Sequence, residues 1–159
     1  MIWPKACTHR LDHPRKERTR RIYPGVQTNL TPVRVLVVDD FEPFRQFVCL
    51  TLVKGPDLQI VGEASDGLEA VQKAAELKPD LILLDIGLPT LNGIEAARQI
   101  RKLALESKII FLSQESSADV VQAGLSVGAW GYVVKARAGR ELLAAVDAVM
   151  SGKKFVSGT

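Results

Sequence analysis

Leu81-Ile82-Leu83-Leu84 is an unbroken aliphatic run that ends in an acid, Asp85. Loop formers follow at Gly87 and Pro89. An apolar run of this length between turn signals reads as a strand covered on both faces, as in a parallel sheet. A carboxylate at the C-terminal end of such a strand stands where open α/β sheets bind their ligands. Alone, Asp85 reads equally well as a loop cap. Its meaning depends on what the other strand ends carry.

The same grammar recurs along the chain. Val33–Val38 is β-branched and apolar, and ends in Asp39-Asp40. Phe44, Phe47, Val48 and Leu52 then recur at helical spacing, with Pro43 in the first turn and Gly55-Pro56 as a stop. Leu58–Ala64 is a second strand, followed by a helix carrying Leu68, Val71, Ala74, Ala75 and Leu77. After the strand ending at Asp85, Asn92-Gly93 opens a third helix with Ile94, Ala97, Ile100 and Leu103. Lys108–Leu112 is a fourth strand ending at Ser113, and Ser116 or Ser117 caps the next helix. Gly131–Val134 is a fifth strand ending at Lys135, and Arg140–Met150 a last helix stopped by Gly152. Strand and helix alternate with short connections. The expectation is an α/β fold, a doubly wound, five-stranded parallel sheet, for which the flavodoxin-like order 2-1-3-4-5 is one of the two common solutions.

In that order the C-terminal strand ends share one edge. Asp39, Asp40, Asp85, Ser113 and Lys135 become neighbours, and the three acids fall in the crevice between the first and third strands. Crowded carboxylates repel, so one of them should hold its proton more tightly than a free aspartate. A divalent cation relieves the repulsion. Mg2+ takes carboxylate oxygens, waters and phosphate oxygens. Asp40 and Asp85 can supply carboxylates, Asp39 an outer one, and the Gly87 carbonyl can reach back from the loop. With the Lys135 ammonium and the Ser113 hydroxyl, the set suits phosphoryl oxygens on an aspartate nucleophile. No Gly-rich phosphate loop follows the first strand, which excludes a P-loop nucleotide site.

Charge is unevenly spread. Residues 1–32 carry seven Lys/Arg against two Asp/Glu, and residues 33–159 carry 14 against 16. The basic pI belongs to the N-terminal segment, and a mildly acidic body argues against a nucleic-acid-binding face there. Residues 1–32 show no sustained period, and proline recurs at Pro4, Pro14, Pro24 and Pro32. They read as a disordered or weakly ordered basic extension, with an arm for an acidic partner as the sharper reading. Cys7 and Cys49 lack zinc-site spacing. No apolar run has the length of a membrane span, and no signal peptide opens the chain, so the expectation is a cytoplasmic protein with no membrane partner.

From Val33 to about Ser151 the chain resembles the receiver domain of bacterial two-component response regulators, of the kind found in LuxR-type regulators. The resemblance rests on Asp39-Asp40, Asp85, Leu88-Pro89, Asn92-Gly93, Ser113 and Gly131-Tyr132-Val133-Val134-Lys135. It implies that Asp85 accepts phosphate from a sensor histidine kinase, with Mg2+ on Asp40, Asp85 and the Gly87 carbonyl. Ser113 and Tyr132 would form a switch pair: Ser113 moves toward the phosphoryl group, Tyr132 turns inward, and the face of the fourth helix, fifth strand and fifth helix changes shape. Bottom-up, Tyr132 reads as a half-buried aromatic with its hydroxyl in water. A homodimer through that face, or through the first and fifth helices, is compatible with the resemblance. Residues 152–159 resemble the start of a linker to a DNA-binding output domain, which this chain does not contain. DNA would be reached only through that domain.

Three departures bear on the site. Gln114 stands where the family usually has a small residue, and is expected to restrict access. Gly87 puts no side chain over the site. Ala136 replaces a proline that in the family follows a cis bond, a geometry that costs about 2.5–4 kcal/mol without proline. The product is expected to be an aspartyl phosphate, made and lost by the domain's own chemistry, in a protein that is not otherwise an enzyme. The alternative of another class is an unphosphorylated pseudo-receiver acting as a protein interaction module. An aspartate-nucleophile phosphohydrolase would need a second acid at the position of Gly87.

Overall fold

The computed structural model describes residues 18–23, 26–55 and 57–158. Its centre is a six-stranded parallel sheet, in the order Leu58–Ala64, Val33–Val38, Leu81–Asp85, Lys108–Ser113, Gly131–Val134 and Phe155–Val156. The strands are β3 (Val33–Val38), β4 (Leu58–Ala64), β5 (Leu81–Asp85), β6 (Lys108–Ser113), β7 (Gly131–Val134) and the short β8 (Phe155–Val156). The helices are α1 (Glu42–Val53), α2 (Gly67–Leu77), α3 (Gly93–Leu103), α4 (Ala118–Ser126) and α5 (Ala138–Met150), the last entered through a 3-10 turn at Lys135–Arg137. Of the two common orders for such an alternation, β3 to β7 take the flavodoxin-like 2-1-3-4-5, and β8 adds a sixth strand.

Side chains alternate across each strand, which gives the sheet two cores. Val35, Val37, Leu81, Leu83, Ile110, Leu112 and Val133 face one way and pack with Val48, Cys49 and Leu52 of α1 and Leu142, Ala145, Val146 and Val149 of α5. Leu36, Val38, Ile82, Leu84, Ile109, Phe111 and Tyr132 face the other way and pack with Ala70 and Ala74 of α2 and Ala97 and Ile100 of α3. This double burial is why the strands read as continuous apolar runs. The helix starts follow from local chemistry. Asp66 and Asn92 accept hydrogen bonds from the N–H groups of Glu69 at 2.8 Å and Glu95 at 3.0 Å, which occupies donors the helix leaves unpaired. Lys78 closes α2 in the left-handed region, with φ of 45°. Ser117 takes the N-cap position of α4 without a side-chain cap bond.

Two regions differ from the sequence expectation. Within the stretch read as an extension, β1 (Arg18–Tyr23) and β2 (Val26–Leu30) pair antiparallel as a separate two-stranded sheet. Residues 1–17 lie outside the described residues. Within the stretch read as a linker, Phe155 and Val156 run parallel to Gly131 and Tyr132 of β7. Ser157 extends the docking: its N–H donates to the Tyr132 carbonyl at 2.8 Å, and its Oγ accepts from the Val134 N–H at 2.9 Å. A two-residue strand has no period of its own to read. It exists because β7 would otherwise leave an edge of unpaired backbone groups. The Lys135–Ala136 peptide is trans, as are all peptide bonds among the described residues.

Gly93 ties the helix layer to the strand that matters most. Its N–H donates to the Ile86 carbonyl at 2.7 Å. A Cβ placed on it would lie 2.0 Å from the Asp85 carbonyl oxygen, a backbone atom that cannot swing aside. Gly93→Ala should therefore lower stability by about 3 kcal/mol through overpacking, read as a drop in the urea midpoint at constant slope. A loss below about 0.5 kcal/mol, the range of a neutral surface change, would show that the loop after β5 yields freely.

Candidate functional site

The strand ends place the acids and the lysine together. Asp39 follows β3 and is 2% exposed, Asp85 ends β5 and is 5% exposed, and Asp40 is exposed beside them. One carboxylate oxygen from each lies within 4.8 Å of the other two. Lys135, just past β7, reaches back over the sheet edge. Its Nζ stands 2.7 Å from Asp39 Oδ2 and 3.3 Å from Asp85 Oδ2. The same ammonium lies 4.6 Å from the centre of the Phe44 ring, a cation–π contact that fixes where it can go.

Local hydrogen bonds orient the carboxylates. Asp39 Oδ1 accepts from the Phe41 N–H at 2.9 Å, and Asp85 Oδ1 accepts from the Gly87 N–H at 3.2 Å. Asp39 Oδ2 is buried and accepts no aligned hydrogen bond, although the Lys135 ammonium is at ion-pair distance. A buried carboxylate oxygen with spare acceptor capacity, facing two further carboxylates, is the environment a hard cation satisfies. The donor set fits Mg2+. The charge balance points the same way. Burial raises the pKa of Asp85, and the charge of Asp39 raises it further. Lys135 and the Gly87 N–H oppose these without cancelling them.

Ser113 and Tyr132 sit on the next strands. Asp85 pairs in register with Leu112, which sets Ser113 one residue farther along the edge. Ser113 is buried, and its Oγ accepts from the Glu115 N–H at 3.1 Å. Tyr132 is fully buried, and its hydroxyl donates to the Glu115 carbonyl at 2.8 Å. This replaces the half-exposed ring with a wet hydroxyl that its sequence context suggested. Gly124 of α4 makes room for it: a Cβ there would meet Phe111 at 3.0 Å and Tyr132 at 3.4 Å. Burial raises the Tyr132 pKa, and a hydrogen bond with Ser113 lowers it by less. Gln114 and Gly87 are both exposed at the mouth, and a Cβ on Gly87 would meet nothing within 4 Å.

Sequence reasoning missed three contributors. By its spacing Phe44 reads only as one of the apolar positions of α1. Arg45 and Glu63 were not singled out, yet Arg45 Nη1 donates to the Asp39 carbonyl at 2.7 Å and its Nε to Glu63 Oε1 at 3.1 Å. The available signal was an arginine inside the apolar period of α1 and an acid inside the apolar strand β4.

The family model for the response regulator receiver domain matches residues 35–147. The chain belongs to the response regulator receiver family. A relative in Bacillus subtilis, the transcriptional regulatory protein LiaR, is 38% identical over 76% of this chain and 57% of its own length. The nitrate/nitrite response regulator protein NarL of Escherichia coli K12 is 34% identical over 82% of this chain and 60% of its own length. Among solved structures, a LuxR-family two-component response regulator from Aurantimonas sp. SI85-9A1 superposes with a TM-score of 0.77 at 30% identity, covering 80% of this chain and 91% of that one. The chain thus spans little more than half the length of the curated relatives. Receiver domains serve two-component signalling, partnered by sensor histidine kinases, and bind Mg2+ at an acidic pocket of the kind formed here by Asp39, Asp40 and Asp85. Among the described residues no helix is long and apolar enough to cross a membrane.

Asp85 makes the stability of the fold depend on pH. Because its pKa is raised, the folded state binds that proton more tightly than the unfolded chain does. Stability from this source is fully present below the unfolded value, about 3.9 for aspartate. It is lost as pH rises through the folded value. In EDTA, Asp85→Asn should therefore raise the urea midpoint at neutral pH, with the gain shrinking on acidification. A lowered midpoint at neutral pH would mean that the Lys135 attraction outweighs burial and repulsion.

Proposed function

We propose that this receiver is a phosphoacceptor: Asp85 takes a phosphoryl group from the phosphohistidine of a sensor kinase, and the change is passed to the α4–β7–α5 face. The observation that carries the reading is the clustering of the Asp39, Asp40 and Asp85 carboxylates at a single sheet edge, with the Lys135 ammonium on Asp39 and Asp85. An Asp85 oxygen attacks phosphorus, the bond from phosphorus to the donor nitrogen breaks, and the imidazole leaves with the electron pair. The product is an aspartyl phosphate. The cation would be held by Asp40, Asp85 and the Gly87 carbonyl, with Asp39 behind them, and when bound it supplies charge neutralisation at the phosphoryl oxygens.

The protein groups do the rest. Lys135 is already in contact with Asp85, so a short movement of Nζ brings it to a phosphoryl oxygen. Ser113 can donate its hydroxyl to another phosphoryl oxygen while its Oγ still accepts from the Glu115 N–H. Tyr132 is inside from the start, bonded to the Glu115 carbonyl. The switch in this chain is then a shift of Ser113 and the loop leading to α4, with Tyr132 as the fixed wall it moves against. Gln114, exposed next to Ser113, limits how donors and water approach. Self-association through α4–β7–α5 or α1–α5 is the companion proposal.

Two measurements test the reading. Acetyl phosphate with Mg2+ should leave an acid-stable, base-labile phosphate on the chain. It should be absent from Asp85→Asn and absent in EDTA, and a signal that survives Asp85→Asn would overturn the assignment. Gln114→Ala should speed both phosphorylation by acetyl phosphate and loss of the phosphate. Unchanged rates in both directions would remove Gln114 from the mechanism.

A further inference from the structure

Arg45 spans two elements beneath the acid cluster. Its side chain is 15% exposed and that of its partner Glu63 10%. An ion pair this well shielded gains little over apolar residues of the same shape, because both charges lose their water. Its geometry is more informative than its energy. The planar guanidinium offers donors in a fixed fork. One donor goes to Glu63 on β4, and another to the backbone carbonyl of Asp39. Asp39 is held from the other side by its own Oδ1, which takes the Phe41 N–H. The turn carrying Asp39 and Asp40 is thereby clamped between β4 and the start of α1.

We propose that Arg45 is a positioning residue, anchored by Glu63, that fastens the Asp39 carbonyl and so holds the Asp39 and Asp40 carboxylates at the spacing a divalent cation requires. The proposal rests on the reading of the acid cluster as an Mg2+ site. The sign of its charge makes it testable. A cation next to a cation site repels the ion, so by charge alone removing Arg45 should tighten Mg2+ binding. Loss of the clamp has the opposite effect, because carboxylates no longer held in place must be ordered by the ion itself.

The experiment is a calorimetric titration of the full chain with MgCl2, alongside a urea midpoint for each variant. Arg45→Met/Glu63→Leu removes both charges together, keeps the net charge, and replaces the pair by apolar groups of similar size, a change often neutral for a buried ion pair. The expected result is an Mg2+ affinity about tenfold weaker, the range for groups that orient metal ligands, with a urea midpoint close to wild type. Equal or tighter binding by this variant would overturn the proposal. If the double variant does not fold, Arg45→Lys decides by the same titration, since an ammonium keeps the charge but cannot serve both acceptors in the fork. Weaker binding supports the clamp, and wild-type affinity overturns it. A wild-type chain that takes up no Mg2+ would overturn the metal reading and the clamp with it, whereas wild-type binding with unaffected variants would overturn the clamp alone.

Discussion

One ammonium group, Lys135 Nζ, sits between two buried carboxylates that would otherwise repel each other. It comes from the end of β7, and the acids come from the ends of β3 and β5. The sheet can bring Asp39 and Asp85 this close only because a positive charge reaches across the edge to them. The compensation is incomplete, and the Asp85 proton is still held more tightly than in a free aspartate. A site with residual negative charge, shielded from water and open on the Asp40 side, has a standing demand for a cation.

The rest of the fold keeps that demand from being relaxed away. Both faces of the sheet are buried, so a strand cannot slide or rotate without disturbing one of two cores. Gly93 lets α3 press its first turn against the carbonyl of Asp85, and Arg45 holds the carbonyl of Asp39. The Asp85 side chain and the acids beside it therefore ride on backbone that is pinned from below. On the opposite side of Asp85, Ser113, Gln114 and Glu115 join β6 to α4 over the buried Tyr132.

The strands were legible because most of them are apolar runs, a pattern that double burial forces, and their alternation with helices left two common orders to choose from. The cluster was legible for a related reason. In a parallel sheet every C-terminal strand end shares one edge, so an acid, a hydroxyl or a lysine at such a position announces its neighbours. Less was legible where a structure depends on its partner more than on its own period. Phe155 and Val156 form a strand only because β7 has an edge to offer. Tyr132 follows a glycine in a short strand, and nothing in that context tells that Gly124 of α4 leaves it room. Arg45 and Glu63 lie 18 residues apart, and their pairing requires knowing which face of α1 meets β4.

The sequence by itself determined the alternation, the two-sided core and the identity of the groups at the site edge, because these follow from periodicity and from one topological rule. Only the tertiary structure decided how the charges settle. Lys135 takes both Asp39 and Asp85, Asp85 ends with its pKa raised, and an arginine from a helix face holds the turn that carries the acids. Those outcomes depend on distances of a few ångströms between residues far apart in the chain, and on how much water each group retains. Neither quantity is written in residue order.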